Sequence, residues 1–284
     1  MEHQLFQLIV QILASLSQRH SPFWKFSDRE IVEVFYWSAL HDRPVSWSLE
    51  RRNWPIHLRQ RSLPSNTTMS RRLRSRSVRA LLETLERRIT RPTSGGLYWI
   101  IDGKPLPIGG ASKDRQAGYG RSAGGKAKGY KLHAILNCQG ELATWRIAPM
   151  NKDERTMATR MVPQAGLCGY LVADSNYDSN HLHAVCDRVG NLQLVAPRRR
   201  GGVLGHHHHA PGRLRSVGLT ESPFPAFADG LLDERNSIER SFGQLTSWGG
   251  GLGPLPAWVR THRRVVRWVQ AKLAIHRLRA THLR

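Results

Sequence analysis

Residues 97–108, LYWIIDGKPLPI, decide the fold class. The apolar run at residues 99–101 is typical of a buried β-strand, and it leads directly into Asp102. We therefore predict a strand that ends in an acid. The sequence before this segment has the periodicity of helices, whereas strands and helices mix after it, which predicts an α/β domain.

The segments that follow predict the rest of this domain. Residues 126–150 are expected to form two strands joined by a hairpin at residues 138–140, and residues 169–179 contain another apolar strand that leads into Asp174. A Gly-, Pro- and His-rich stretch at about 199–230 predicts a loop insertion. The other predicted elements are helices at 153–164, 179–190 and 233–245, a strand at 192–200, and a basic amphipathic helix from Trp258 to about Arg279.

The first 92 residues predict a separate helical domain. Ser27 and Asp28 are favourable N-cap residues for one helix. A short helix after Pro55, a turn, and a long helix capped near Asn66 or Thr67 together resemble a helix-turn-helix. A plain helical bundle with a solvated basic face is the alternative. Residues 91–96, RPTSGG, have the composition of a linker, so the predicted domains are 1–92 and 97–284.

The charge of the chain points to a nucleic acid. Lys and Arg number 43 against 21 Asp and Glu, a net charge of +22 over 284 residues. A basic excess of this size favours a polyanionic partner, and we expect DNA. No stretch is apolar enough to predict a membrane span, and the three cysteines form no paired motif, so we expect a cytoplasmic, nucleoid-associated protein.

Three acids form the candidate catalytic site. Asp102 and Asp174 follow predicted strands, and these strands can be neighbours in one sheet. Glu239 lies on a predicted helix, beside the apolar positions Ile238 and Phe242. Three carboxylates make an oxygen-rich site for Mg²⁺ or Mn²⁺, and such sites serve phosphoryl transfer.

Each acid also has an ordinary structural interpretation. Asp102 could cap the Asp-Gly turn that follows it. Asp174 could cap the next helix, which would leave Asp178 as a rival ligand. Glu239 could simply pair with Arg235 one helical turn earlier, which would make Glu234 its nearest rival.

Four segments resemble the DDE transposases of bacterial insertion sequences. They are YWIIDGKPLPI (98–108), KGYKLHAI (128–135), VADSNYDS (172–179) and RNSIERSFGQL (235–245). The resemblance is to the group whose third acid lies in an Arg-x-x-x-Glu motif. It implies a ribonuclease-H-like mixed sheet flanked by helices, with Asp102, Asp174 and Glu239 as the metal-binding triad.

The sequence departs from this family pattern at two positions. The Tyr that precedes the motif arginine falls on Leu232, and the Lys that follows the motif glutamate falls on Thr246. Family members are thought to contact DNA near the cut through these positions. The departures therefore affect the expectation for hairpin chemistry and end positioning, and they do not affect the three acids.

The resemblance implies a transposase that binds the terminal inverted repeats of its element, cleaves the ends and joins the 3′-hydroxyls to target DNA, with a homodimer on the DNA. A catalytically inactive DNA-binding relative and a metal-dependent nuclease of the same fold are the alternatives. The predicted DNA contacts are Arg71, Arg72, Arg74, Lys104, Lys131, Arg198, Arg199 and Arg235.

Three further segments invite a functional interpretation. The run His206–His209 lacks the spacing of a zinc site, so a solvated or DNA-contacting loop is expected there. Residues 110–131 are Gly-rich and basic, and they predict a flexible loop that becomes ordered on DNA. Trp248 could be a wedge between bases, although a core position before a helix C-cap is the more ordinary role.

Overall fold

In a computed structural model of the chain, the structure describes residues 1–16, 24–93, 95–199, 204–205, 208–221, 223, 226–247 and 251–282. These residues divide into two compact units. Unit 1 comprises Met1–Thr90, Leu245–Leu252 and Arg267–Arg284, and unit 2 comprises Arg91–Gln244 and Gly253–Val266. Segments from the predicted second domain thus group with the N-terminal residues.

Among the described residues, four α-helices come first, four strands follow, and helices and strands then alternate before the last helices. The helices are α1 (Glu2–Ser15), α2 (Asp28–Leu40), α3 (Asn66–Arg72), α4 (Arg76–Thr90), α5 (Glu154–Met161), α6 (Asn180–Val189), α7 (Pro211–Thr220), α8 (Ala226–Glu234), α9 (Asn236–Ser247) and α10 (His262–His282). The strands are β1 (Tyr98–Pro107), β2 (Gly118–Ser122), β3 (Gly125–Asn137), β4 (Leu142–Pro149), β5 (Gly169–Val172) and β6 (Leu192–Val195).

All six strands form one mixed sheet in unit 2. The strand order is β2-β3-β1-β5-β6, and β4 also pairs with β3. The strands β1 to β4 pair antiparallel, whereas β5 pairs parallel with β1 and with β6. The predicted hairpin at 126–150 is therefore confirmed as β3 and β4, and the predicted final strand as β6.

The apolar core of the sheet lies on one face, under α5 and α6. Trp99 and Ile101 of β1 pack with Leu171 of β5, Met161 of α5 and Leu182 of α6, and all five side chains are buried. These residues fall on alternate positions of the strands and on one stripe of the helices, which is the pattern that buries one face of each element.

Two predictions for β1 and its neighbourhood are wrong. The strand does not end at Asp102 but continues to Pro107, because β3 is long enough to pair with all of it. Residues 110–131 are not simply a loop, because they contain β2 and the first part of β3, paired as an antiparallel ribbon. Glycine-rich composition concealed this ribbon, since glycine is depleted in strands.

The predicted loop insertion at about 199–230 contains two helices within its described residues, α7 and α8. Polar contacts hold α7 in place: Ser216 Oγ accepts from Ala196 N, and Arg215 pairs with Asp187 of α6. Because these polar contacts fix α7, its sequence does not need the apolar stripe by which a helix is usually predicted. Of this region, Arg200, His206 and His207 lie outside the described residues, as does Trp248.

In unit 1, the predicted cap of α2 is confirmed. Ser27 accepts from Glu30 N, and the Glu30 side chain accepts from Ser27 N in return, which completes a capping box. The short helix after Pro55 is a 3₁₀ turn at Ile56–Leu58. No helix among the described residues is long and apolar enough to cross a membrane.

The single long helix predicted from residue 66 is wrong, because the chain breaks it into α3 and α4. The N-cap of α3 is Ser65, whose side chain accepts from Thr68 N. The carbonyl of Leu73 at the break accepts from the Arg267 guanidinium at 2.6 Å instead of continuing the helix. Ser75 Oγ then lies 3.4 Å from Val78 N at the start of α4.

Both ends of the chain build unit 1. Lys272 of α10 is buried, and its Nζ lies 2.5 Å from Asp42 Oδ1. Arg279 pairs with Glu2 at 3.7 Å. Because these ion pairs join residues separated by most of the chain, unit 1 is complete only when its C-terminal helix is present.

Arg72 is a structural residue of unit 1 and not an exposed DNA contact. Its side chain is 3% exposed, its guanidinium donates to the Phe26 carbonyl at 2.6 Å and to Asp28 Oδ1 at 2.5 Å, and it lies over the Trp24 ring. The prediction that Arg72 contacts a DNA backbone is therefore wrong in this structure. Burial removes it from solvent, whereas Arg74 on the neighbouring turn is exposed.

We expect Arg72→Met to lower the free energy of unfolding by about 3 kcal/mol, because it leaves the Asp28 carboxylate without its buried partner. Arg74→Met, with the same loss of charge at an exposed position, should change it by less than about 0.5 kcal/mol. Urea denaturation of both variants, followed by circular dichroism, measures the difference. Equal losses of stability in the two variants would show that the Arg72 contacts do not stabilise the protein.

Candidate active site

The parallel pairing of β1 with β5 sets Asp102 beside Asp174. Tyr98 pairs with Tyr170 and Ile100 with Val172, and the same offset carried two residues further matches Asp102 to Asp174. Neighbouring strands are about 4.8 Å apart, and residues in register face the same side of a sheet. The two carboxylates that the sequence predicts are thus expected to lie side by side just beyond the end of β5.

The pKa of Asp102 is consistent with its proximity to Asp174. Burial raises the pKa of Asp102 to about 6, and the Gly103 N–H, which donates to Oδ1 at 2.7 Å, opposes the shift. The negative charges of Glu154 and Asp174 raise this pKa further, and Arg235 lowers it. Asp102 is therefore a carboxyl group that ionises only at a cost, unless positive charge comes close to it.

Asp174 follows β5 and caps a 3₁₀ turn at Ser175–Tyr177. Its Oδ1 accepts from Asn176 N at 2.9 Å and its Oδ2 from Asn176 Nδ2 at 3.1 Å. The ordinary capping role that the sequence allowed is thus present. It fixes the side chain beside Asp102, so capping and a place in the site are compatible.

Asp178, the rival to Asp174, is fully engaged elsewhere. Arg213 of α7 donates to both of its carboxylate oxygens at 2.8 Å, and the Arg199 N–H donates at 3.2 Å. Although burial alone would raise it, these hydrogen bonds hold the pKa of Asp178 well below its usual range. A carboxylate paired in this way has no oxygen available for a metal without breaking the ion pair.

Glu239 is not assembled with the two aspartates. It lies on the first turn of α9 with its side chain 63% exposed, and its nearest charged partner is Arg235 at 3.9 Å. The same Arg235 lowers the pKa of Asp102. The positive charge of the guanidinium therefore acts on both carboxylates, that of Glu239 and that of Asp102.

Glu234, the rival to Glu239, interacts with the first strand. It accepts a hydrogen bond from the Tyr98 hydroxyl, and burial together with this contact raises the pKa of Tyr98 to about 12. Tyr98 precedes Asp102 by four positions on β1. Glu234 thus fastens the end of α8 to the sheet and places Arg235, the next residue, near Asp102.

Within the described residues, no group of three or more His, Cys, Asp or Glu side chains is close enough to hold a metal ion. The chemistry of the donor set nevertheless fits Mg²⁺ or Mn²⁺, which prefer carboxylate oxygens. Burial raises the pKa of Asp102 and the charge of Asp174 adds to the shift, and a bound cation would stabilise the ionised carboxylate.

Glu154 is a site residue that the sequence analysis missed. Its charge acts on Asp102, and its Oε1 lies 2.5 Å from Lys131 Nζ. A Cβ at Gly103 would approach Glu154 Oε1 to 3.1 Å and Lys131 Cδ to 2.7 Å, so this ion pair lies directly against the backbone beside Asp102. The only sequence signal was an acid at the start of the helix after β4.

The remaining predicted DNA contacts have varied surroundings. Lys131 is held by Glu154, and Lys104 is partly buried, so that burial lowers its pKa. Arg198 pairs with Glu221, whereas the Arg199 side chain is exposed on the loop after β6. Of these four cations, Arg199 is the most accessible to a ligand in this structure.

Residues 112–205 match a family model described as "Transposase DDE domain". No curated protein matches the sequence. The fold is similar to that of the piggyBac transposase, solved by cryo-electron microscopy as a synaptic complex with hairpin DNA, with a TM-score of 0.50 and 10% identity over 98% of this chain and 74% of that chain.

These findings show a similarity to a transposase DDE domain over part of the chain and a similar fold. The matched segment runs from before β2 to after β6 and contains Asp174, but neither Asp102 nor Glu239. At 10% identity, the likeness to the solved structure concerns the fold alone. The match of Asp102 to Asp174 is inferred from the strand register and the electrostatics of this chain, and it is independent of both comparisons.

The raised pKa of Asp102 gives a prediction for the metal-free protein. Because its folded-state pKa is about 6 and its ordinary value is 3.8, Asp102 lowers the free energy of unfolding as the pH rises from the ordinary value to about 6. Asp102→Asn removes this effect. We expect the variant to exceed the natural protein in unfolding free energy by up to about 3 kcal/mol at about pH 8, with a smaller difference at about pH 4.5.

Urea denaturation in the presence of a chelator measures both proteins at both pH values. The low-pH pair serves as the internal control, because Asp102 is then largely neutral in the folded protein. A difference between the two proteins that does not change with pH would contradict the raised pKa.

Proposed function

We propose that this protein is the transposase of a bacterial insertion sequence, of the group with an Arg-x-x-x-Glu third acid. It cleaves the ends of its element and joins the freed 3′-hydroxyls to target DNA. The observation that carries the proposal is the register of β1 with β5, whose offset, carried two residues past the last pair, matches Asp102 to Asp174. The strand order, with β1 central between an antiparallel and a parallel half, supports a ribonuclease-H-like catalytic domain.

Asp102, Asp174 and Glu239 would hold Mg²⁺ or Mn²⁺ in this proposal. When bound, such ions polarise the phosphate oxygens and lower the pKa of the attacking water. Glu239 is exposed and interacts with Arg235. Because that arginine also interacts with Asp102, it compensates part of the negative charge of the site before metal and DNA are bound.

Unit 1 supplies the proposed recognition of terminal inverted repeats, through a helix-turn-helix-like arrangement of α3 and α4. Arg71, Arg74 and Arg76 are exposed on or beside these helices, whereas Arg72 holds them in place. Cations in a row on one surface provide phosphate contacts that position a protein on DNA. Two ends must be held together, so we propose a homodimer on DNA in the cytoplasm.

A nuclease of the same fold and an inactive DNA-binding relative are the alternatives. The first would cleave without joining strands. The second would bind DNA and do neither, and the exposed position of Glu239 in this structure is the observation that favours it.

A strand-transfer assay tests the reaction, with a duplex that carries the element's terminal repeat, a plasmid target and Mg²⁺. We expect Glu239→Gln to lower the yield of joined product on the order of 10³-fold, because it removes a metal ligand that acts in the transition state. Asp233→Asn, a control that removes an exposed carboxylate from α8, should retain joining. A chelator should abolish joining in both.

Three outcomes would contradict this proposal in different ways. Joining that persists in Glu239→Gln and fails in Glu234→Gln would show that the third metal ligand is Glu234 and not Glu239. Cleavage without joining would support the nuclease. Tight end binding without cleavage would support the inactive relative.

Recognition by unit 1 is tested with Arg71→Ala/Arg74→Ala. Removal of each phosphate contact should lower the slope of log K against log salt by about 0.9, so the slope of the double variant should fall by up to about 1.8 for duplex DNA. Fluorescence anisotropy over a range of salt concentrations measures the slope. Arg87→Ala/Arg88→Ala, with the same loss of charge at exposed positions on the last turn of α4, is the control. An unchanged slope in Arg71→Ala/Arg74→Ala would exclude these arginines from the interface.

A further inference from the structure

The ribbon formed by β2 and the first part of β3 has two very different faces. Paired residues of an antiparallel ribbon lie on the same face. One face carries Tyr119, Arg121, Lys126 and Lys128, since Tyr119 pairs with Lys128 and Arg121 with Lys126. The other face carries the small residues Gly118, Gly120, Ala127 and Gly129.

The small face is packed tightly against the sheet. A Cβ at Gly120 would lie 2.7 Å from the Met150 carbonyl oxygen, and one at Gly129 would lie 2.4 Å from the Leu106 carbonyl oxygen. Both contacts are with backbone, which cannot move aside. The glycines therefore allow the ribbon to lie flat on β1 and the end of β4, and this fixes the direction in which the opposite face points.

The opposite face is exposed and basic. Tyr119 is 57% exposed, Arg121 and Lys126 are exposed, and Lys126 Nζ lies 5.9 Å from the centre of the Tyr119 ring. Among the ion pairs of the described residues, none involves Arg121 or Lys126. Like charges placed directly opposite each other destabilise a strand pair, so this arrangement favours an anionic partner that compensates both.

We propose that this face, Tyr119, Arg121 and Lys126, binds DNA at an unpaired nucleotide. The two cations contact phosphates and the Tyr119 ring stacks on the base. Cations beside an exposed aromatic ring are the combination that binds single-stranded nucleic acid, because every base has a face that can stack. A surface that bound phosphate alone would not require the exposed ring.

The place of the ribbon suits DNA held at the candidate active site, so this inference rests on the proposed function. Ala134 pairs with Asp102, and Lys128 and Lys126 lie six and eight residues earlier on β3. At about 3.3 Å per residue, the basic face begins about 20 Å along the strand from the acid and extends to about 26 Å. DNA bound there would be unpaired roughly six to eight nucleotides from the position of chemistry, at about 3.4 Å per nucleotide.

Binding to two labelled DNAs tests the proposal on the full-length protein: a blunt duplex and the same duplex with a single-stranded extension. Tyr119→Ala should weaken binding to the extended DNA by about 5- to 150-fold and leave binding to the blunt duplex unchanged. Tyr119→Phe keeps the ring and should bind both as the natural protein does. Arg121→Ala/Lys126→Ala should lower the salt slope for the extended DNA by about 1.4, because neither side chain can then neutralise a single-strand phosphate.

Arg160→Ala/Arg188→Ala is the matched control, because it removes two exposed cations from α5 and α6 of the same unit. Its salt slope should stay unchanged. Equal effects of Tyr119→Ala on both DNAs would overturn the stacking contact. If the salt slope of the control fell as much as that of Arg121→Ala/Lys126→Ala, the proposal that the ribbon is a specific DNA-binding surface would be wrong.

The strand-transfer assay, run on the same proteins, separates this inference from the proposed function. Normal binding by the ribbon variants, with joining by the natural protein, would overturn the ribbon contact and leave the transposase proposal standing. A natural protein that neither binds nor joins DNA would overturn both.

Discussion

The parallel register between β1 and β5 is the constraint on which the candidate site depends. Its offset, carried two residues past the last pair, sets Asp102 and Asp174 at the same level and on the same side of the sheet. Burial raises the pKa of Asp102, and the negative charges of Glu154 and Asp174 raise it further. Repulsion of this kind is typical of sites that are complete only with a bound cation.

Arg235 connects this pair to the third acid. Tyr98 and Glu234 hold the end of α8 on β1, so that the next residue reaches Asp102, while Glu239 one turn later pairs with the same guanidinium. One arginine therefore interacts with acids that are far apart in the chain. An isolated exposed ion pair at this helical spacing would contribute only a few tenths of a kcal/mol to stability. The contact of Arg235 with Glu239 is therefore significant mainly because the same guanidinium also acts on Asp102.

The sequence predicted the strands that carry the acids, because apolar runs followed by Asp are local signals. It also predicted α2 and α9 from their caps and stripes. It could not predict the length of β1, which depends on pairing with β3, or α7, which polar contacts from α6 and β6 hold in place. Arg72 and Arg74 look alike in sequence, and only the fold distinguishes the buried cation from the exposed one. Glu154 was missed because its proximity to Asp102 is a property of the tertiary structure.

The composition of unit 1 has a consequence for how the protein is made. Its first ninety residues leave the ribosome long before Lys272 and Arg267, which pair with Asp42 and with the Leu73 carbonyl. The helical unit therefore lacks these partners during most of translation. The strands of unit 2 lie between residue 90 and Arg267 in the chain, so the sheet can form first. A growing chain would thus form its sheet before its N-terminal helices reach their final packing, and a chain that stops early would carry Asp102 and Asp174 without the completed helical unit.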